Sequence, residues 1–141
     1  MSFGYKPVKD GIVAILNTLK PDVLKEVYTK EQKELTAFPC TTIEAKEDSA
    51  DFHDTVSNLK VYQHFVRIYF RTDEKNDPDY EDVLETAVDA VKAALEHDIT
   101  LGGICDWAMP TSGIWKGDPN TKNTPVRFYE MTVTTKARVV R

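Results

Sequence analysis

Cysteine is scarce in this chain. Cys40 and Cys105 are the only two among 141 residues, far apart and with no paired-cysteine spacing. That excludes a disulfide framework and a thiolate zinc site, and both read as small buried residues of a reducing compartment. Histidine is equally sparse. His53, His64 and His97 are scattered, with no HExxH or EF-hand pattern near them. No apolar run approaches the ~20 residues that a membrane span needs. The opening MSFGYKPVKDG has no long apolar stretch, so no secretory signal is expected, and synthesis and folding in the cytosol are. Basic excess is also missing. A net charge of −5 argues against a nucleic-acid binder, whose footprint is a basic patch, and against an anionic membrane surface.

What is present suits a soluble globular domain. With 41% hydrophobic and 29% charged residues, the chain is long enough to bury a core, and one domain over 1–141 is expected. The stretch that organises it is Leu59–Arg71, LKVYQHFVRIYFR. Its alternation predicts a strand with Tyr62, His64, Val66, Ile68 and Phe70 on one face. The other face takes Val61, Gln63, Phe65, Arg67, Tyr69 and Arg71. A solvated second face should be polar, yet Phe65 and Tyr69 sit between arginines, so that face is either covered within the chain or meets another subunit.

Around this strand the chain reads as follows. Val8, Ile12, Ile15, Leu16 and Leu19 recur at helical spacing over Pro7–Leu19, and Lys20-Pro21 stops that helix. Gly11 costs it about 1 kcal/mol relative to alanine. Val-Tyr-Thr favours a short strand near Lys25–Thr29, and CTTIEAK another over Cys40–Lys46. Glu47–Asn58, EDSADFHDTVSN, reads as a long acidic loop, of the length that is usually functional or mobile. Pro78–Glu96 is the clearest helix, with Asp77 placed to cap it and Pro78 at its first position. Its buried stripe is Val83, Leu84, Ala87, Val88, Val91, Ala94 and Leu95; its acidic side is Glu81, Asp82, Glu85, Asp89 and Glu96. Leu101–Met109 reads as a strand entered through Gly102-Gly103, which suggest a bulge or a close backbone approach. Pro110–Pro125 reads as a polar connection containing Trp115. Val126–Val140 closes the chain as a strand, with Met131, Val133, Thr135, Ala137 and Val139 inward and Glu130, Thr132, Thr134, Lys136 and Arg138 outward. The order predicts an α+β two-layer sandwich: a mostly antiparallel sheet of four to five strands, two helices on one face, and long loops near 47–58 and 110–125.

Chemistry is harder to find. Asp48, Asp51, His53 and Asp54 could gather a metal, but a run of charge in a loop reads first as solvated surface. There is no GxSxG elbow, and Ser49, Ser57 and Ser112 read as turn residues. The glycines fit neither a P-loop nor a dinucleotide fingerprint. His64, on an otherwise apolar face, reads as a hydrogen-bonded core residue. The carboxylates Asp79, Glu81 and Asp82 serve a helix start. With no acid, base and pocket assembled, neither catalytic nor metal-binding nor cofactor-binding residues are expected, and a binding or structural role is.

The order of elements, with the strings FPCTTI, VYQHFVRIYFR, TLGGICDWAMP and VRFYEMTVTTKARV, resembles the tail terminator and tail-completion proteins of bacteriophages with long non-contractile tails. The resemblance runs nearly end to end, although neighbouring phage neck, minor tail and head-completion proteins share parts of the pattern. It implies a structural virion protein, assembled in the host bacterial cytoplasm and resident in the tail. Such a protein forms a homo-oligomeric ring, usually a hexamer, that caps the finished tail tube, stops its polymerisation and offers the head-joining surface. Its partners would be other copies of itself, the tail tube protein and a head-completion or connector protein, with DNA passing through the ring without specific binding. On this reading Phe65, Arg67, Tyr69, Arg71 and Trp115 are candidate subunit-interface residues. Glu47, Asp48, Asp51 and Asp54 are candidates to face the lumen, where like charge would keep DNA from sticking. The competing reading is a small ligand-binding domain or enzyme with a site at His64, Cys105, Asp106 and Trp107 and the acidic loop as a lid.

Overall fold

A computed structural model describes residues 3–20, 22–29, 39–52, 56–71, 80–117 and 126–140. Two helices, α1 (Tyr5–Asn17) and α2 (Tyr80–His97), lie against one face of a five-stranded sheet made of β1 (Glu26–Tyr28), β2 (Cys40–Phe52), β3 (Ser57–Arg71), β4 (Trp107–Gly117) and β5 (Val126–Val140). The strand order is β1-β2-β3-β5-β4, antiparallel throughout except for the short parallel β1–β2 pair. This is the expected α+β sandwich. Among the described residues no helix is long and apolar enough to cross a membrane.

β3 and β5 form the centre, paired without interruption from Ser57↔Val140 to Arg71↔Val126. Their shared inner face carries Val66, Ile68 and Phe70 opposite Met131, Tyr129 and Arg127. The apolar stripes of the helices close over it: Val8, Ile12 and Leu16 from α1, and Ala87, Val88, Val91 and Leu95 from α2, all buried. Each large aliphatic sealed there contributes roughly 1.5–3 kcal/mol. The predicted stripe of α2 fails at Val83, which is 51% exposed, because it lies in the first turn, beyond the edge of the packed layer. Asp77 and Pro78 lie outside the described residues, as do the side chains of Glu81 and Leu84.

Two expected loops are strand. β2 continues through Phe52, so most of Glu47–Asn58 is the arm of a hairpin with β3, paired to Asp51↔Leu59 and Phe52↔Asn58. The composition is poor for a strand, but β3 is already fixed along its other edge by β5 and provides a template for the arm. Pro110–Gly117 likewise belongs to β4. Proline is tolerated there because β4 is an edge strand and Pro110 sits at a bulge, where Thr111 is the extra residue. Ser49, Ser57 and Ser112 are therefore strand residues, not turn residues.

The expected strand start at Leu101 is instead a turn. Leu101, Gly102 and Gly103 have φ of 51, 73 and 91°, left-handed values that two glycines adopt freely and a leucine does not. The Asp98 carboxylate accepts the N–H groups of Thr100 (3.2 Å) and Gly102 (2.9 Å), and the Thr100 hydroxyl accepts that of Gly103. Nothing lies within 4 Å of where a Cβ would stand on either glycine, so they serve conformation rather than close approach. Leu101 itself is 3% exposed, and its burial offsets the strained backbone. The turn packs on Gly11 of α1, where a Cβ would sit 3.0 Å from Ile104 and 3.1 Å from Leu101. The residue that weakens α1 as a helix thus lets it approach the turn closely.

Each bulge reverses which way the downstream side chains point. In β2 the register shifts between Ala45 and Glu47. Ile43 and Ala45 face the helices before the shift, Asp48 and Ala50 after it. Asp48 thereby meets the Tyr5 hydroxyl of α1, which donates to its carboxylate at 2.6 Å. In β4 the shift after Pro110 turns Trp115 toward the helices. Gly113, opposite Met131 on the same face, makes room for the Tyr129 hydroxyl, which a Cβ there would overlap.

Candidate functional site: the open face of the sheet

The face away from the helices is built by four strands in register. β3 contributes Gln63, Phe65, Arg67 and Tyr69; β2 sets Glu44 opposite Phe65 and Thr42 opposite Arg67. β5 sets Phe128, Glu130, Thr132 and Thr134 opposite Tyr69, Arg67, Phe65 and Gln63. β4 adds Trp107, Met109, Ser112 and Ile114 at the edge.

Arg67 is the hub. Its Nε donates to Glu130 at 2.7 Å and its Nη1 to Glu44, so one guanidinium ties β3 to both neighbours. The Arg67 side chain is 20% exposed and that of Glu130 10%. Burial pulls the guanidinium pKa down, and the carboxylates of Glu130 and Glu44 more than reverse this, so its affinity for the proton ends above the ordinary value. The same group lies over the Phe65 ring at 4.8 Å, with the Lys46 ammonium 5.4 Å from that ring, a cation–π arrangement that holds the aromatic flat on the sheet. Tyr69 leans on Phe128 at 5.2 Å between ring centroids. Its phenol is held above the usual range chiefly by burial, with the hydroxyl of Thr42 and the charge of Arg67 acting against it.

A polar strip runs beside the hub. The Gln63 amide donates to Thr134 at 3.2 Å, and the hydroxyls of Thr111 and Thr134 lie 2.8 Å apart. Lys136 stands over Trp107 at 5.2 Å. Phe65, Tyr69, Phe128 and Trp107 are half-buried, while Ile114 is 55% exposed. Toward β1 the face closes, with Cys40 and Thr42 buried. The arrangement offers ring faces, a fixed ion cluster and hydroxyls. It supports binding by stacking and hydrogen bonding, and among the described residues it presents no nucleophile beside a base.

The structure brings Phe65, Arg67 and Tyr69 together on this face. Arg71 ends β3, and its side chain lies outside the described residues. Trp115 is elsewhere: it packs on the helix side against Tyr129 (5.0 Å) and Phe70 (6.3 Å), beneath the Arg127 guanidinium at 4.7 Å. The described candidate lumen residues are in a strand, not a loop. Glu47, Asp48 and Asp51 belong to β2; Glu47 and Asp51 share the open face, while Asp48 is engaged by Tyr5 on the other. Asp54 and His53 lie outside the described residues. Glu47, Ser49, Val61 and Gln63 border a depression of about 310 Å³ beside Asp48.

The residues of the enzyme reading are not gathered. His64 is buried on the helix face of β3, whereas Trp107 points to the open face of β4, with β5 between them. His64 is not hydrogen-bonded as expected: neither ring nitrogen meets a partner. The Asp106 carboxylate accepts the Arg138 backbone N–H at 2.8 Å. Burial above all, with the charges of Asp106 and Asp98, pushes the Cys105 thiol up to about 11, so at neutral pH it is not a thiolate. Cys40 is pushed up to about 12, again chiefly by burial. Among the described residues no group of three or more histidine, cysteine or acidic side chains could hold a metal ion.

Sequence reasoning found the outward set of β5, including Glu130, but not its pairing. Glu44 and Phe128 were not singled out. The signal available was charge balance, since an arginine in a strand flanked on both sides by strands with outward glutamates invites a cross-strand pair. No protein-family model matches the chain, and comparison with curated proteins finds no significant match.

Proposed function

We propose that the chain is a structural virion protein of the tail-terminator kind, working as a ring of copies that caps a finished tail tube, ends its polymerisation and presents a surface to the head. The observation that carries this reading is the open face itself. It is four strands wide, set with half-buried Phe65, Tyr69 and Phe128 around a fixed Arg67–Glu44–Glu130 cluster and with half-buried Trp107 farther along its β4 edge, and among the described residues no helix covers it. Aromatic side chains and arginine are the residues that dominate protein–protein contacts. The sequence resemblance supports the specific role, and head-to-tail contacts between copies close into rings when the rotation allows. The partners under this reading are other copies in a hexameric ring, the tail tube protein and a head-completion or connector protein, with the virion tail as the final location. Glu47 and Asp51, which share the open face of the β2 arm, are the acidic groups assigned to the DNA path. Asp48 is withdrawn from that role by its bond to Tyr5.

The test is sedimentation of the Phe65→Ser/Tyr69→Ser double variant beside the parent protein, with the thermal midpoint of each. The expected result is loss of the assembled species and of tube capping with the midpoint little changed. Unchanged assembly alongside a collapsed midpoint would place both residues in the folding core and overturn the reading.

A further inference from the structure

His64 is fully buried in the middle of β3, and neither Nδ1 nor Nε2 has a hydrogen-bonding partner. Its cover is the first turn of α1. Tyr5 stands edge-on to the imidazole at 5.6 Å between centroids and edge-on to Tyr62 at 4.7 Å, and Phe3 closes on Tyr62 at 4.9 Å. This end of α1 has no side-chain cap at Gly4. The aromatic contacts, the Tyr5–Asp48 bond and the bond from the Val8 N–H to the Gly4 carbonyl (3.1 Å) hold it down.

The groups around the imidazole can be named element by element. α1 presents Tyr5 and Lys9; β2 presents Ala45 directly opposite, and Asp48 beyond it; β3 presents Tyr62; β5 presents Val133 directly opposite and Thr135 beside it. The one carboxylate in this set, Asp48, already accepts from Tyr5. Burial holds the His64 pKa below its usual value; the Tyr5 backbone, turned toward the ring but short of hydrogen-bond geometry, partly opposes this, and the charge of Lys9 adds to the lowering.

We propose that His64 is a proton-operated release for the first turn of α1: a protonated ring must reach water, and the way out is to displace Tyr5. Release breaks the Tyr5–Asp48 bond and bares Phe3, Tyr5 and Tyr62 at the root of the β2–β3 hairpin. The sign follows from the lowered folded-state value. The closed turn is fully stable above the unfolded histidine pKa of ~6.5 and loses stability as pH falls through it toward the lower folded value.

The experiment is amide hydrogen exchange on the full chain from pH 7.5 to 5, corrected for intrinsic rates and kept above the range where ordinary carboxylates titrate. Protection of Val8–Ile12 is expected to fall about tenfold or more, while Met131 and Val133 in β5 keep theirs, and His64→Phe is expected to abolish the change. Flat protection in α1, parallel loss in β5, or persistence of the effect in His64→Phe would each overturn the proposal. If that variant does not fold, the ring resonance of His64 in the parent protein decides. It must titrate in step with the loss of protection, and a ring that stays neutral while α1 opens rules the residue out.

Discussion

β3 sends Val66, Ile68 and Phe70 to one side and Phe65, Arg67 and Tyr69 to the other, and the molecule treats the two sets differently. On the helix side the three are 0–3% exposed and belong to one continuous hydrophobic core. On the open side the rings stay half-buried, and their neighbours are cations, carboxylates and hydroxyls. Contact in the first set is continuous, so its worth is mostly area removed from water. In the second, specific pairings hold rings and charges in fixed positions with one surface still free. The first arrangement stabilises a fold; the second organises a surface before any partner arrives.

The sharpest way to break this contrast is truncation on each side of the one strand. Ile68→Ala should cost about 2–5 kcal/mol in urea unfolding, and Phe65→Ser much less. Equal losses would mean that the open face is a second core. Next in size, Arg67→Met leaves the Glu44 and Glu130 carboxylates facing each other without their cation, an expected loss of about 2 kcal/mol. Adding Glu130→Gln should restore part of it, and strict additivity in that cycle would deny the cluster. Gly113→Ala, on the helix side of β4, must displace the Tyr129 ring and should cost about 1–3 kcal/mol; Ser112→Ala, one residue away on the open side, should be near neutral. A thermal-melt comparison of that pair isolates the effect of face from that of position.

The smallest effect concerns the Tyr5–Asp48 bond. Tyr5→Phe should cost about 1 kcal/mol or less at neutral pH. The Tyr5 phenol is pushed up to about 12, first by its bond to Asp48, then by burial and the negative charge nearby. A raised folded-state value means that its contribution is complete below ~10 and disappears as pH climbs from there toward 12. The parent protein should therefore lose stability over that window more than Tyr5→Phe does, as read by chemical denaturation at stepped pH.

Much of this contrast is legible in the sequence. The alternation in Leu59–Arg71 separates its two faces correctly, Val126–Val140 matches β5, and the helical stripes of Ile12–Leu16 and Val88–Leu95 locate the covering layer. The parts that misled have a common cause. The β2 arm and the second half of β4 are strands because a neighbour templates them, while their own residues (acidic in EDSAD, turn-like in PTSG) favour loops. Alternation also fails across a bulge, and Trp115, read as part of a polar connection, lies past one and turns to the helix side. The Arg67 cluster depends on the register of three strands distant in sequence, a quantity that no single segment encodes.

The two bulges have an evolutionary consequence. Lys46 and Thr111 each act as a one-residue phase change in strands flanking the β3–β5 pair. Deleting either one would exchange the inward and outward sets beyond it while leaving the two central strands and their register intact. A lineage carrying this fold could thus exchange the groups displayed along a margin of the sheet in a single step, without rebuilding its interior. Relatives are then best aligned by face rather than by position, with a one-residue gap permitted at these two points.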